Sequence, residues 1–281
     1  MVDFLLDRKH RTRYAGQQSV DASINASVVQ GSGFGPSAYV VVASDLHPVH
    51  DHNVIVKFAD DTYLIVPGSK RDTINKELEG IQRWALLNNL KLNPNKSKEM
   101  LFRRRTRTVI LPPPLPGIER VDSMIVLGVN ISYDLRASAH VDRLLGRCTS
   151  SLHALRILRA HGLPQDALHN VAKATLLSRL LYASPSWWGM TSADERLKIE
   201  RFINKSRRLG YLPANQPTME TMTDEADRRL LRAVVTCNNH VLMCLFPPIQ
   251  ATQYNLRPRA HNFKLPEKDN INFISRILFK R

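Results

Sequence analysis

The chain has 281 residues, enough for one or two domains with a sizeable core, and 43% hydrophobic content supports a globular chain. It carries 40 Lys+Arg against 25 Asp+Glu, a net charge of +15. Such an excess points to a polyanionic partner, because each cation placed on a phosphate releases a condensed counterion. No apolar run nears the roughly 20 residues of a membrane span, the start lacks the basic-then-apolar order of a signal peptide, and Cys148, Cys237 and Cys244 cannot staple a fold this size. Membrane, secreted and collagen-like classes are excluded, and a reducing intracellular setting, nuclear or cytoplasmic, is expected.

In chain order, β-branched runs predict short strands at 40–42 and 54–58, with a further strand at 62–66 that Pro67-Gly68-Ser69 closes. The last two, joined by a tight Asp60-Asp61 turn, form a hairpin whose tip presents both carboxylates. Ile74, Leu78, Ile81, Ala85 and Leu86 follow a helical period, with Asp72 or Thr73 as cap and an end near Asn88-Asn89. A Pro94-Asn95 turn follows, residues 100–102 return to the sheet, 111–117 form a Pro-rich loop, and 124–131 add one more strand.

After Tyr133 the pattern is helical. In 136–159 an apolar stripe (Val141, Leu145, Cys148, Leu152, Leu155) lies on one face and Arg136, His140, Arg143 and Arg147 on another. Ser192 and Glu195 form a capping box opening a basic helix, and a further helix is expected from about 224 to 245. The tail 254–281 reads as a basic extended arm ending in a short helix. The expected class is α+β: mixed α/β over 1–134, helical over 135–250, and a basic arm over 251–281.

The sharpest chemical signal is Phe58-Ala59-Asp60-Asp61 between two apolar strands. Phosphoryl and nucleotidyl transfer use two Mg²⁺ ions about 4 Å apart, bridged by carboxylates that cannot swing away, and short acidic side chains on a rigid hairpin meet that demand. Adjacent Asp residues are also ordinary turn chemistry, and the tetrapeptide alone leaves both readings open.

A second signal lies upstream, Gln30-Gly31-Ser32-Gly33-Phe34-Gly35-Pro36 followed by Tyr39. The order Q-G-S-x-x-G-P-x-x-[FY], a strand, then [YF]-A-D-D resembles the reverse transcriptases of non-LTR, jockey-like retrotransposons. Trp84 with the stretch Leu90-Lys91-Leu92-Asn93-Pro94-Asn95-Lys96-Ser97 resembles the family's W-x-x-x-x-x-L-x-[LI]-N-x-x-K-[ST] segment, and Val126-Leu127-Gly128-Val129 its [FY]-L-G-[VI] strand. His140-Val141 resembles the start of the thumb helices, the stretch from Tyr182 to Trp188 the Y-x-x-P-x-W segment, Phe4-Leu5-Leu6-Asp7-Arg8 the F-L-x-[DN]-R region, and Arg257-Pro258-Arg259-Ala260-His261 the R-x-R-x-H tail.

The resemblance implies an RNA-directed DNA polymerase fragment: partial fingers and palm over 1–134, an antiparallel sheet with helices, then a helical thumb-like region. In the complete family enzyme a primer 3′-OH attacks the α-phosphate of a dNTP on an RNA template. It implies that Asp60 and Asp61 bind Mg²⁺ (or Mn²⁺), with Asp60 the direct ligand. It further implies that Gln30, Gly31 and Phe58 contact substrate and that Lys96 lies near the pyrophosphate leaving group as a general acid. The family's upstream D-x-x-x-A-F-D strand has no counterpart here. The chain is therefore expected to begin just after it and not to extend a primer alone.

Two basic clusters are candidate nucleic-acid contacts: Lys96, Lys98, Arg103, Arg104, Arg105 and Arg107, and the Arg136, Arg143, Arg147 face. The partners so implied are an RNA template, a DNA primer and dNTP. Cys237, His240 and Cys244 lack a fourth ligand for zinc and are expected to pack on a helix. The order G-x-G-x-G-P is wrong for a dinucleotide loop, and Trp187-Trp188 are expected as helix-packing anchors. Two other readings stay open: a non-catalytic nucleic-acid-binding remnant, and a Mg²⁺-dependent phosphohydrolase using the same Asp pair.

Overall fold

The computed structural model describes residues 8–24, 32–104, 110–237, 239–250, 261–269 and 271–279. The chain divides into two compact units, Met1–Lys96 and Ser97–Arg281. Both helices and strands are present, as expected of an α+β chain. The described strands pair only two at a time, in separate ladders, instead of joining one palm-like sheet.

In the first unit, β1 (Lys9–His10) pairs with β4 (Ala22–Ser23) around an inner hairpin of β2 (Arg13–Tyr14) and β3 (Gln17–Gln18). Next comes α1 (Gly35–Val42), where the sequence predicts a strand at 40–42. Pro36 presets helical φ in the first turn, and the Ser32 hydroxyl accepts the Gly35 N–H at 3.0 Å. Three valines cannot oppose that start, because β-branching costs only a few tenths of a kcal/mol per residue in a helix. The antiparallel pair β5 (Val54–Phe58) and β6 (Asp61–Ile65) matches the predicted hairpin.

A 3₁₀ stretch (Gly68–Thr73) leads into α2 (Ile74–Leu87), which ends at Asn88 as predicted. Thr73 holds the cap position, but its hydroxyl donates to the Lys70 carbonyl at 2.7 Å instead of capping the helix. Ile81 and Ala85 are buried, whereas Leu86, predicted on the same stripe, is 79% exposed.

In the second unit, β7 (Lys98–Glu99) pairs in parallel with β8 (Glu119–Arg120), so the predicted return to a sheet falls two residues early, before 100–102. The Arg120 guanidinium binds both oxygens of Glu99 at 2.9 Å and the Pro113 carbonyl at 2.8 Å, folding the Pro-rich loop around a largely buried ion pair. The single strand predicted at 124–131 is instead a hairpin, β9 (Ser123–Val126) and β10 (Val129–Ser132). Its two loop residues, Leu127 and Gly128, both have positive φ (46° and 86°), the mirror-image turn that suits strand twist.

Helices α3 (Ser138–Ala160), α4 (Gln165–Ala172), α5 (Ser178–Leu181), α6 (Ser184–Trp187) and α7 (Ala193–Arg208) enclose the main core, with a π-helical stretch at Lys173–Leu177 between α4 and α5. Val141, Cys148, Leu152 and Leu155 of the predicted α3 stripe are buried there with Leu176, Leu180, Trp187, Ile199 and Ile203. Each such side chain contributes on the order of 1.5–3 kcal/mol. The predicted capping box is present: Ser192 Oγ accepts Glu195 N–H at 3.3 Å, and Ser192 N–H donates to Glu195 Oε2 at 2.7 Å.

Helix α8 (Met219–Thr236) starts before the predicted 224, because Thr218 caps it by accepting the Thr221 N–H at 3.2 Å, and it stops sooner than the predicted 245. Cys237 and Cys244 consequently lie exposed outside that helix instead of packing on it. The tail is not an extended arm where it is described. Phe263 bridges back to Ile249, and α9 (Phe273–Leu278) packs into a second core of Leu231, Val234, Phe246, Phe263, Ile277 and Leu278. Among the described residues no helix is long and apolar enough to cross a membrane.

Candidate active site

Register fixes the candidate site. Val54 opposes Ile65 and Phe58 opposes Asp61, leaving a two-residue loop, Ala59-Asp60. The bend therefore differs from the predicted Asp-Asp tip: Asp60 stands at the turn, while Asp61 is the first residue of β6. Ala59 has φ 50°, in the left-handed region that L side chains avoid at a cost of about 1 kcal/mol. Both carboxylates are exposed, and so is Phe58, at 62%.

Each aspartate has a tyrosine neighbour. Burial raises the pKa of Tyr39, and the negative charge of Asp60 raises it further. Tyr63 is raised by burial, then by the charge of Asp61, to which its hydroxyl donates across 3.5 Å. Tyr39, from the segment that follows Gly35-Pro36, thus lies within electrostatic reach of Asp60.

Three contacts hold this arrangement. Lys57, at the end of β5, donates through Nζ to the carbonyls of Ala43 and Leu46 (2.9 Å to the latter), tying the hairpin to the end of α1. From α2, Trp84 Nε1 donates to Asp45 Oδ1 at 2.7 Å. Glu77 then clamps the loop before β5: its carboxylate accepts from the backbone N–H groups of Val49 and His50 at 2.8 Å, His50 Nδ1 at 2.9 Å and Asn53 Nδ2 at 2.8 Å. Burial on its own raises the Glu77 pKa, but these hydrogen bonds outweigh it and hold the group at about 2.

None of these three positioning residues is among the candidate site residues read from the sequence, where Trp84 figures only as part of a motif. Glu77 had a signal: it falls on the apolar stripe of α2, between Ile74 and Ile81, where a charged residue must find buried partners.

Lys96 is exposed in the 3₁₀ turn Pro94–Lys96, and among the described residues no hydrogen bond or ion pair joins it to either aspartate. Gln30, Gly31 and Arg105 lie outside the described residues, as do residues 4–7 and 257–260 of the terminal motifs. His261, of the predicted tail, is buried and bonds through Nε2 to the Leu278 carbonyl at 2.9 Å, closing the end of α9.

The basic clusters are partly spent inside the fold. Arg103 pairs with Asp122 at 3.2 Å and stacks 4.1 Å over Tyr133, and Lys98 pairs with Glu119. Arg104 is exposed. On α3 and just before it, Arg136 lies 3.4 Å from Asp134, Arg143 is half-buried and Arg147 is exposed. His140 leaves that face altogether: it is buried, lies 4.9 Å from the Trp187 ring, and accepts the Asn130 N–H at 3.2 Å. Burial, then Arg143, lowers its pKa, which favours the neutral ring.

For a divalent ion, Asp60 and Asp61 fit in donor type, since hard cations take carboxylate oxygens. They are incomplete in number. Among the described residues no group of three or more His, Cys, Asp or Glu side chains converges as a metal site.

The carboxylate hairpin is anchored near the end of the helix that Gly35-Pro36 opens. Residues 2–131, a little under half of the chain, match the family model described as reverse transcriptase (RNA-dependent DNA polymerase).

The chain is similar to the RNA-directed DNA polymerase from mobile element jockey of Drosophila melanogaster, 27% identical over 50% of this chain and 17% of the relative. It is also similar to a probable RNA-directed DNA polymerase from transposon BS of the same organism, 24% identical over 74% of this chain and 25% of the relative. A third relative is the Pol polyprotein from a type-1 retrotransposable element R1 of Nasonia vitripennis, 24% identical over 54% of this chain and 41% of the relative. The chain thus spans well under half the length of each of these relatives. No solved structure matches it.

Proposed function

We propose that this chain supplies part of the catalytic palm of an RNA-directed DNA polymerase, with the helical second unit as a thumb-like element. The observation that supports this reading is the Asp60-Asp61 hairpin, tied by Lys57 to the chain at the end of the helix that Gly35-Pro36 opens, inside the segment that matches the reverse transcriptase family. Asp60 and Asp61 would hold Mg²⁺, or Mn²⁺, together with a third carboxylate from outside the described residues. A divalent ion bound there supplies positive charge against the phosphates. Gln30, Gly31 and Phe58 would meet the dNTP and template base, Lys96 the leaving pyrophosphate, and Arg104 and Arg147 the backbone of an RNA template paired with a DNA primer.

Primer extension on an RNA template tests this. The 281-residue chain alone is expected to incorporate no dNTP. Supplying the D-x-x-x-A-F-D segment of a relative in trans is expected to restore metal-dependent incorporation, and Asp60→Ala to abolish it. Equal incorporation by Asp60→Ala in the supplemented reaction defeats the reading.

A second reading, a non-catalytic nucleic-acid binder, is favoured by the net charge of +15. It predicts hybrid binding that is steep in salt and indifferent to both Asp60→Ala and Mg²⁺.

A further inference from the structure

Of the cations predicted on or just before α3, Arg136 is paired and Arg143 half-buried, whereas α7 carries an exposed row. Lys198, Arg201, Lys205 and Arg208 follow one another at three- and four-residue steps, so they line one helix face. That face lies opposite Ile199, Ile203 and Ser206, which are buried in the core, and all four cations are exposed.

The acids of α7 are occupied or sit at its start. Glu195 closes the capping box, while Glu200 accepts from Arg207 and from the Met219 N–H, each at 3.0 Å. Asp194 heads the row in the first turn, and Lys198 is drawn to Asp142 of α3 at 3.5 Å. Beyond Lys198 the row is purely cationic. Among the described residues no ion pair or side-chain hydrogen bond reaches Arg201, Lys205 or Arg208.

We propose that Arg201, Lys205 and Arg208 on α7 form a contact for the sugar-phosphate backbone of a nucleic acid, replacing Arg136 and Arg143 as the principal charged face of the helical unit. Seven helical positions at 1.5 Å each separate the first from the last, roughly 10 Å, the axial length over which one duplex strand presents about three phosphates. Three flexible cations at that pitch track a backbone without reading sequence. The proposal rests on the nucleic-acid partner of the preceding reading, not on polymerase chemistry, so binding tests it whether or not extension occurs.

The other purpose such residues serve is local, since cations in the last turn offset the helix dipole. Binding and melting separate the two. Affinity for a 20-nucleotide single-stranded RNA, and for the RNA–DNA hybrid of the same sequence, is measured from 50 to 200 mM KCl. Replacing all three residues by Ala is expected to flatten the log-affinity against log-salt slope on the hybrid by about 2 to 3, since each phosphate contact contributes about 0.9. Arg201→Lys with Arg208→Lys should keep the wild-type slope.

Arg229→Ala with Arg232→Ala on α8, where Glu225 shares the face and already pairs with Arg228, should also leave it unchanged. Loss on both probes supports contact with either form of nucleic acid, and loss on the hybrid alone supports a duplex ligand. An unchanged slope in the triple Ala variant overturns the proposal, and so does a lowered melting temperature without a slope change, which assigns the cations to helix stability alone.

Discussion

The hydroxyl of Tyr182 donates to the carbonyl of Leu127 at 2.9 Å, and the same ring closes over Gly128, so that a Cβ on that glycine would meet Tyr182 Cε1 at 3.2 Å. Two segments singled out separately in the sequence, Leu127-Gly128 and the stretch from Tyr182 to Trp188, are therefore one structural joint. It fastens the β9–β10 hairpin to the helical core. Trp187 Nε1 adds to it by donating to the Tyr182 carbonyl at 2.9 Å.

Gly128→Ala meets both obstacles at once, a φ of 86° and the tyrosine ring, and should lower stability by about 1–3 kcal/mol. Tyr182→Phe removes only the hydrogen bond and should cost about 1 kcal/mol. Chemical denaturation of both variants and their double mutant checks this, with non-additive losses expected because the sites touch.

Acid should loosen the first unit through Glu77. Its folded pKa, about 2, lies below the ordinary 4.5, so its contribution is complete above about pH 4.5 and is lost as pH falls toward 2. At about 1.36 kcal/mol per pH unit, the gap corresponds to roughly 3 kcal/mol. Glu77→Gln should flatten the acid limb of stability across that window, as read by denaturant melts at pH 7, 4 and 3.

At the hairpin bend, the φ of 50° at Ala59 is open to glycine and hostile to β-branched residues. Ala59→Gly should stabilise the hairpin by about 0.5 kcal/mol, the difference between relieved strain and the added freedom of the unfolded chain. Ala59→Val should destabilise it by more than 1 kcal/mol. Amide exchange across Val54–Phe58 and Asp61–Ile65 reports the direction for each.

Asp227 is fully buried and meets the guanidinium of Arg276, Oδ1 to Nη2 at 3.1 Å and Oδ2 to Nε at 3.2 Å, while Nη2 also donates to the Pro185 carbonyl at 2.7 Å. Asp227→Ala strands a nearly buried cation and should cost about 3–5 kcal/mol. Combining Asp227→Leu with Arg276→Met should recover most of that loss, and a thermal melt distinguishes the two outcomes.

Local patterns with strong chemistry were legible in the sequence: the β5–β6 hairpin, the body of α2, the Ser192–Glu195 box and the apolar stripe of α3. The errors occurred where propensity and tertiary geometry disagree. Val40, Val41 and Val42 favour strands, yet Pro36 and Ser32 had already set a helix. Leu127-Gly128 is hidden inside an apolar run, because leucine is not a usual residue for a positive φ and only the contact with Tyr182 shows why the turn sits there.

At the candidate site, the place of the two aspartates on a hairpin was legible because apolar, β-branched strands flank them. Lys57 and Trp84 were not, since their partners are a backbone carbonyl and an aspartate distant in sequence. A cation count also could not separate Arg103, spent on Asp122 and Tyr133, from Arg201, which no ion pair or ring contact reaches among the described residues.

The second core joins Leu231 and Val234 of α8 to Ile277 and Leu278 of α9. During synthesis the first pair leaves the ribosome about 40 residues before the second, a wait of roughly 2 to 8 s at about 5–20 residues per second. Over that interval α8 shows nascent-chain chaperones a bare apolar face. The rate at which the segment between Val234 and Ile277 emerges therefore sets how long this helix is open to capture or misassembly.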